Sequence, residues 1–321
     1  MFFIYKKAIK VLYIIIIYTQ IPLTLRSDYL SEKMISVSYK DIQTGWVVLS
    51  EIEQRIKDKI EKVGIPLKDW DINIYRGVIT GFNEAFIIDN EKRKELIEKS
   101  PRSAEIIRPI LRGRDIKKYN YAFANLYIIT TFPSKHYLIE DYPAIQDHLL
   151  SFGYNRLKQT GESGARKKTN NKWFELQDAI AYWEELSKPK IIWKRVGSII
   201  RFCYDEEGCF VLDSTCFATG TDIKYLVGIL NSKVGNYMLK DSPRTGTGDL
   251  LISVQAIEPL RIPLATESTV ELICKLVDKI SIETSEKTEL ENKLDSLVYE
   301  LYGFNKQETE FIENYLLSKF Q

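Results

Sequence analysis

The sequence predicts an α+β fold, in which a mixed or antiparallel β body with flanking helices is followed by a helical C-terminal segment. Short runs rich in β-branched and aromatic residues recur between residues 74 and 215, which is typical of strands. After residue 267 the apolar residues change to helical spacing. We divide the 321 residues into an N-terminal lead-in (1–70), a β body (71–265) and a helical C-terminal segment (266–321).

The first 25 residues contain an apolar run, from Val11 to Tyr18, that follows three lysines. This run is too short to cross a membrane, which takes about 20 residues, and no small-residue cleavage site follows it. We therefore expect no membrane association and a cytoplasmic location, where the four cysteines stay reduced. The run is interpreted as a buried strand or helix, or as the remnant of an interrupted upstream domain.

Helix and strand signals then follow in order. Ser50 is a suitable N-cap for a helix over 51–63, with Gly64 placed as its C′ residue. Residues 74–90 show a strand–turn–strand pattern around Gly77 and Gly81, which permit positive φ and close backbone approach. Among the later segments, helices are predicted at 91–99, 142–152 and through 222–239. Strands are predicted at 125–131, through 190–215 and at 254–263. A long mobile loop is predicted at 155–175, and a Gly/Ser/Thr loop at 242–249.

The last section carries two apolar registers separated by the polar stretch 283–289. The first register comprises Ile273, Val277 and Ile280, and the second comprises Leu290, Leu294, Leu297 and Leu301. This spacing predicts a helix pair, or one broken helix, whose narrow seam packs on another helix. A spacer or a docking surface for a partner is the role expected of this tail.

Charge is unevenly distributed along the chain. Residues 267–321 hold 6 basic and 12 acidic side chains, so residues 1–266 hold 39 basic and 32 acidic ones. A basic body of this kind attracts polyanions such as nucleic acid, although many globular domains of this size are equally basic.

Several enzyme classes are disfavoured by missing motifs. The chain has only two histidines and no CxxC pair, which speaks against a metal centre. It contains no GxGxxG, GxxxxGK[ST] or GxSxG sequence. It also has no Pro-Pro pair, which the [DNS]PP[YFW] loop of methyltransferases that act on DNA amino groups requires, and no Pro-Asp precedes its [DE]xK triplets as a PD-(D/E)xK nuclease would need. We therefore expect no catalytic residues, no metal and no cofactor in this chain.

Two glycine-containing stretches supply the first candidate binding residues. In the turn 76–86, Arg76, Thr80 and Asn83 either belong to a plain hairpin turn or contact phosphates.

The second stretch, 111–119, offers Arg112, Arg114 and Lys117 as candidates, because arginine both clamps phosphates and reads guanine. The alternative is a local ion pair between Asp115 and one of these arginines.

The remaining candidates come from one strand and two loops. In the strand 190–195, Lys194 shares a face with Lys190, whereas Arg195 shares the other face with Trp193, which is expected to be core. The loop candidates are Arg166, Lys167 and Lys168 in 155–175, and Arg244 and Thr245 in 242–249.

Four blocks of the sequence, taken in order, match a known family. They are GVITGFNEAFIID (77–89), IIRPILRGRDIKKY (106–119), KIIWKR with FVLDST (190–215), and LVGILNSKVGNYML (226–239), which is followed by a Gly-rich loop and the segment Glu258–Pro263. With these blocks the chain, from about residue 42 to 317, resembles the TaqI-like C-terminal specificity domain. KDWD followed by INIYRGVITGFNEAF is the most diagnostic stretch.

This resemblance implies a target-recognition domain of fused type II restriction–modification enzymes and of adenine-specific DNA methyltransferases in phage defence. Such a domain reads double-stranded DNA and presents it to a methyltransferase or nuclease part, which uses S-adenosylmethionine, with Mg²⁺ where an endonuclease is present. The resemblance places sequence reading in loops 155–172 and 242–249, and structural or phosphate roles in the Gly-rich turn and the RGRD block. The catalytic proline pair and the cofactor glycines are expected upstream of this chain.

Two other functions stay open at this point. The protein could be an interaction scaffold without DNA binding, whose basic loops are merely solvated surface. It could also be a cryptic nuclease with an unrecognised site.

Overall fold

The computed structural model describes residues 11–12, 37–38, 49–282 and 285–318. In this part of the chain, two four-stranded sheets pack together with a layer of helices, so the predicted α+β class is confirmed. Apart from Val11–Leu12, which forms a short strand, the interpretation of the first 25 residues lies outside the described residues.

The elements are numbered in chain order. The strands are β1 (Val11–Leu12), β2 (Val37–Ser38), β3 (Gly64–Pro66), β4 (Ile72–Arg76), β5 (Ile87–Asp89), β6 (Ile107–Leu111), β7 (Leu126–Ile129), β8 (Lys190–Lys194), β9 (Val196–Gly197), β10 (Phe202–Asp205), β11 (Phe210–Val211), β12 (Thr215–Gly220), β13 (Leu250–Leu251) and β14 (Arg261–Pro263). The helices are α1 (Glu51–Val63), α2 (Asn83–Phe86), α3 (Asn90–Lys99), α4 (Pro143–Leu150), α5 (Tyr154–Leu157), α6 (Ile223–Asn231), α7 (Lys233–Met238), α8 (Val254–Ile257), α9 (Glu267–Ser281), α10 (Lys287–Tyr302) and α11 (Lys306–Leu317).

The central sheet has the strand order β10-β8-β12-β4, and every neighbouring pair is antiparallel. Because side chains alternate across a strand, Ile191 and Trp193 of β8 pack on the helical layer, whereas Ile192 packs on the opposite side. Trp193 is 1% exposed, which confirms its prediction as core. The sheet therefore separates two apolar clusters and contributes to both.

One charged residue of β8 lies inside the protein. Lys190 is fully buried and forms an ion pair with Asp205, which is also buried and lies opposite it on β10. The Tyr121 hydroxyl donates to the same carboxylate at 3.0 Å, and the Cys209 main-chain N–H donates to it at 3.0 Å. The buried carboxylate is thus fully paired, as a charge in the interior requires.

The second sheet, ordered β11-β6-β7-β5, covers the face of the central sheet opposite the helices. Its pair β11–β6 is parallel and its other pairs are antiparallel, so the expectation of a mixed β body holds.

The strand–turn–strand interpretation of residues 74–90 is corrected, because β4 joins the central sheet and β5 joins the second. The main-chain N–H of Gly77 donates to the Thr215 carbonyl, and that of Val78 to the Val211 carbonyl, which carries the chain from one sheet to the other. A side chain at Gly77 would overlap the Leu212 carbonyl. Gly77 is therefore required by close backbone approach, whereas Gly81 is required by its φ of 76°.

Helix α1 begins at the predicted N-cap. Ser50 and Glu53 form a reciprocal capping box, in which the Ser50 main-chain N–H donates to the Glu53 carboxylate at 3.0 Å. Gly64 does follow the helix, but its backbone is extended (φ −88°, ψ 143°) and enters β3. Glycine is needed there because β3 pairs with β14, and a Cβ would lie 2.6 Å from the Cβ of Arg261.

The predicted strand at 254–263 is only partly correct. Its first part is the short helix α8, and only Arg261–Pro263 is extended, as strand β14.

The C-terminal helices belong to the core of the described chain. The apolar residues of α9 and α10 that carry the predicted registers pack against the helical face of the central sheet, together with α1 and α6. Ile273, Val277, Ile280 and Leu294 are buried. The helix-on-helix packing is confirmed, but these seams are occupied by the chain's own residues and do not form a free docking surface.

Candidate nucleic-acid interface

Four cationic residues lie at one end of the central sheet. Because the strands are antiparallel, β4 and β8 finish at the end where β12 and β10 start. This topology places Arg76, which ends β4, at the same end of the sheet as Lys194 and Arg195, where β8 finishes, and Arg201, which precedes β10; β12 lies between β4 and β8. We call this region the basic sheet end.

The RGRD turn adds a fifth cation to the basic sheet end. The main-chain N–H of Gly113 donates to the Ser214 hydroxyl at 3.1 Å, and that of Arg195 donates to the Ser214 carbonyl at 3.0 Å. Ser214 directly precedes β12 and so holds the turn against the end of β8. Arg114 is exposed in this turn and lines the same surface depression as Lys194 and Arg201.

Four of these cations have no acidic partner. Within residues 49–282 and 285–318, no carboxylate oxygen lies within 4.0 Å of a side-chain nitrogen of Arg114, Lys194, Arg195 or Arg201. Arg76, by contrast, forms an exposed ion pair with Asp178 at 3.2 Å. The unpaired positive charge of the basic sheet end is therefore available to an anionic partner.

The charges of two arginines of the basic sheet end affect the pKa of the buried Cys216 thiol. Burial raises the pKa of the Cys216 thiol to about 11, and the charges of Arg195 and Arg76 partly oppose that rise. Cys216 lies opposite Arg76 on one side and opposite Trp193 on the other. Arg76 and Arg195 thus act on one buried atom, which agrees with their position at the same end of the sheet.

The predicted reading loop 242–249 lies next to this surface. Strand β13, which follows the loop, pairs with β9, and the Ile252 main-chain N–H donates to the Arg195 carbonyl at 2.8 Å. Arg244 is exposed and donates to the Gly248 carbonyl at 2.8 Å, while the Thr245 hydroxyl hydrogen-bonds that of Thr247. The structure therefore brings Arg244 and Thr245 to the same part of the molecule as Arg195.

Arg112 is engaged in the local ion pair that the sequence left open. Its guanidinium donates to both carboxylate oxygens of Asp115, at 3.0 and 2.8 Å, and its main-chain N–H donates to the same group. Asp115 is 5% exposed, and burial alone would raise its pKa, but the hydrogen bonds from Arg112 lower it overall. Arg112 thus braces the turn that presents Arg114.

Arg166 is not on the surface, and the prediction that it contacts DNA needs correction. It is 2% exposed, and its guanidinium donates to the main-chain carbonyls of Leu157, Thr80, Glu175 and Trp173. Burial, and secondarily the charge of Arg156, lowers its pKa to about 10. In this conformation the guanidinium serves the protein's own backbone and cannot reach a bound partner.

The loop around Arg166 is also more ordered than predicted. Main-chain hydrogen bonds join Gly161 to Arg166, Arg166 to Lys158 and Thr169 to the carbonyl of Gln159, so the segment is internally bonded. Lys167 and Lys168 remain exposed on it. The segment packs on the turn after β4 through the Arg166–Thr80 hydrogen bond, and Asp178, which lies just beyond it, forms the ion pair with Arg76.

Thr80 and Asn83 are used within the turn after β4. Thr80 is 2% exposed; its hydroxyl donates to the Asn83 side-chain oxygen at 2.6 Å and accepts from the Phe82 main-chain N–H. Asn83 is exposed at the start of α2, and Lys117 is exposed just after the RGRD turn. Thr80 therefore shapes the backbone, whereas Asn83 and Lys117 are accessible.

Arg201 and Ser214 were missed by sequence reasoning. Each directly precedes a strand, and no motif marks either one. Only the strand order shows that these two residues lie beside Lys194. Once the sheet topology is known, a cation or hydroxyl residue next to a strand end indicates a further member of the site.

Among the described residues, no group of three or more His, Cys, Asp or Glu side chains is placed to hold a metal ion. No helix in the described ranges has the length and apolar character needed to cross a membrane.

The chain is similar in sequence to a known domain family and to a known methyltransferase. Residues 108–260 match the model of the TaqI-like C-terminal specificity domain, which confirms the resemblance inferred from the sequence blocks. The chain is 23% identical to the type II methyltransferase M.BstVI of Geobacillus stearothermophilus over 97% of this chain and 55% of that protein. It thus spans about half the length of the curated relative that it matches.

A solved structure shares the fold. The type IIL restriction–modification enzyme MmeI, determined in complex with DNA, superimposes with a TM-score of 0.51 at 11% identity, over 90% of this chain and 40% of that one.

Proposed function

We propose that this protein is the target-recognition module of a type II restriction–modification enzyme, which binds double-stranded DNA and reads its sequence for an adenine methyltransferase part. The observation that carries the proposal is the basic sheet end, where Arg114, Lys194 and Arg201 line one depression and Arg195 follows Lys194; none of the four has an acidic partner among the residues that the structure describes. Such unpaired cations supply the phosphate contacts that dominate DNA affinity.

The basic sheet end and the loops suit two different kinds of DNA contact. Cations beside strand ends have their backbone positions set by the sheet, which suits contacts to backbone phosphates. The loop 242–249, which lies beside this sheet end, presents Arg244 and the half-buried Thr245, and the segment 155–172, which packs on the turn after β4, presents the exposed Lys167 and Lys168; these side chains suit contacts to base edges. A rigid positive surface flanked by exposed polar loops is what sequence reading of a duplex requires.

The comparisons support this proposal. The family model that matches is that of a specificity domain, the curated relative is a methyltransferase, and the solved neighbour MmeI is described in complex with DNA. Almost half of the curated relative has no counterpart in this chain. We assign methyl transfer with S-adenosylmethionine to a partner domain or subunit, and any Mg²⁺-dependent cleavage to a nuclease part.

Selection from a random-sequence duplex pool tests the function. The 321-residue chain is immobilised, bound duplexes are recovered over several rounds, and their sequences are compared with the input. We expect one short sequence to be enriched, and the yield of bound duplex to fall with Arg114→Ala, whereas Lys279→Ala, at an exposed lysine on α9, should retain the wild-type yield. Recovery of duplexes with the composition of the input would show that the chain is not a DNA reader.

A further inference from the structure

The basic sheet end contains a small depression with a volume of about 180 Å³. Three of its lining residues are cations and one carries a hydroxyl, while two glycines and the isoleucines Ile116 and Ile199 form the rest of the wall. The cationic, hydroxyl and glycine residues are Arg114, Lys194, Arg201, Ser198, Gly113 and Gly197. They come from the RGRD turn, the end of β8, the end of β9, and the chain between β9 and β10.

The two glycines hold the lysine in place. A Cβ on Gly113 would lie 3.1 Å from Cγ of Lys194, and a Cβ on Gly197 would lie 3.6 Å from Cδ of the same side chain. Both glycines are buried, so the lysine stem lies between two stretches of bare backbone. The packing directs the ammonium into the depression and reduces the number of rotamers that it can adopt.

The depression has no negative charge of its own. No acidic residue lines it, and no carboxylate in the described part of the chain pairs with its three cations. Like charges held close together repel one another, and an anion placed between them removes that repulsion. Three cations around one depression therefore favour an anionic ligand with several acceptor oxygens.

We propose that this depression seats one backbone phosphodiester of the bound duplex and so fixes the register of the protein on its site. The inference rests on the proposed function and adds a single, position-specific phosphate contact to it. The two arginines offer planar forks for the phosphate oxygens, Lys194 offers a point charge, and the Ser198 hydroxyl offers one further donor. Arg195 and Arg244 lie outside the depression and extend the positive surface, so they would contact other phosphates of the same duplex.

A scan with single methylphosphonates tests the contact, since each one removes one phosphate charge. The duplex is the sequence enriched in the selection described above, with one replacement at each backbone position in turn. We expect binding to fall roughly 10–100-fold at one position on one strand and much less elsewhere. In Lys194→Gln the same replacement should have little further effect, because the contact is already lost; Lys279→Gln should behave as the wild type.

The outcomes separate the two proposals. If a sequence is enriched but the scan is flat, or if Lys194→Gln retains the sensitive position, the phosphate seat is wrong while DNA recognition stands. If no sequence is enriched, both proposals fail. Arg201→Gln provides a second variant, with the fold of each checked by circular dichroism, and it should remove the same sensitive position.

Discussion

Arg166→Ala is the substitution that best separates the structural account from the sequence prediction. A DNA-contacting arginine in a mobile loop would affect binding and leave stability unchanged. The structure instead places Arg166 in the interior, where it donates to four main-chain carbonyls from three separate stretches of chain. These stretches are the turn after β4, the end of α5 and the segment at 173–175.

The magnitude follows from those four hydrogen bonds. A hydrogen bond to a charged group contributes about 1.5–3 kcal/mol, and each buried carbonyl left unpaired costs about 1–3 kcal/mol. Part of this is offset, because burial of the guanidinium is itself unfavourable and water can enter the space left by the side chain. We therefore expect Arg166→Ala to lower the free energy of unfolding by about 3–5 kcal/mol.

Urea unfolding followed by circular dichroism measures the change. Arg166→Lys keeps the charge but can satisfy fewer carbonyls, so its loss should be intermediate. Lys167→Ala and Lys168→Ala are the matched controls, because both side chains are exposed, and their stability should change by less than about 0.5 kcal/mol. A loss below about 1 kcal/mol for Arg166→Ala, together with weaker duplex binding, would refute the structural role.

Three further changes in stability are expected, each measured by urea unfolding. Asp115→Asn should lower the free energy of unfolding by about 1–3 kcal/mol at pH 7. Arg112 lowers the pKa of Asp115 below its ordinary value of 3.8, so the wild type gains this stability above pH 3.8 and should lose it as the pH falls through the folded-state pKa. Gly77→Ala should cost more than about 2 kcal/mol, since its Cβ would overlap a carbonyl, whereas Gly246→Ala, which meets no atom within 4 Å, should cost less than about 1 kcal/mol. Lys190→Met should cost about 3–5 kcal/mol, because it leaves the buried Asp205 carboxylate without its counter-charge. Equal stability of variant and wild type would contradict each of these assignments.

Local signals in the sequence predicted the local elements well. The Ser50 cap, the helix after Asn90 and the core position of Trp193 all depend on neighbouring residues or on simple alternation. These features are set by hydrogen bonds and periodicity within a few residues, which a single sequence displays directly.

Long-range pairing was not visible in the sequence. The stretch 74–90 has the composition of a hairpin, but Val78 pairs with Leu212, more than one hundred residues away, and this contact sends β4 and β5 to different sheets. In the same way Gly64 has the sequence context of a helix C′ residue, and its actual constraint comes from Arg261 on β14. Composition cannot specify which distant strand a segment joins.

The candidate site likewise combines features that the local sequence shows with features that depend on the fold. A run of basic residues marked 155–175 as a surface loop, but sequence alone does not show which of its cations the fold buries, and Arg166 is the one used internally. Arg201 had no motif around it, and only the antiparallel order of β8 and β10 places it beside Lys194. Position relative to the sheet, rather than charge alone, defines the basic sheet end.

The salt dependence of duplex binding tests the central claim most directly. Binding of the enriched duplex is measured from about 50 to 300 mM salt for the wild type and for a variant in which Arg114, Lys194, Arg195 and Arg201 are all replaced by glutamine. We predict a linear fall of log K with log salt in the wild type, and in the variant at least a roughly tenfold weaker affinity with a slope shallower by about 1 or more. An unchanged affinity and slope in a folded variant would contradict the claim that the basic sheet end binds DNA.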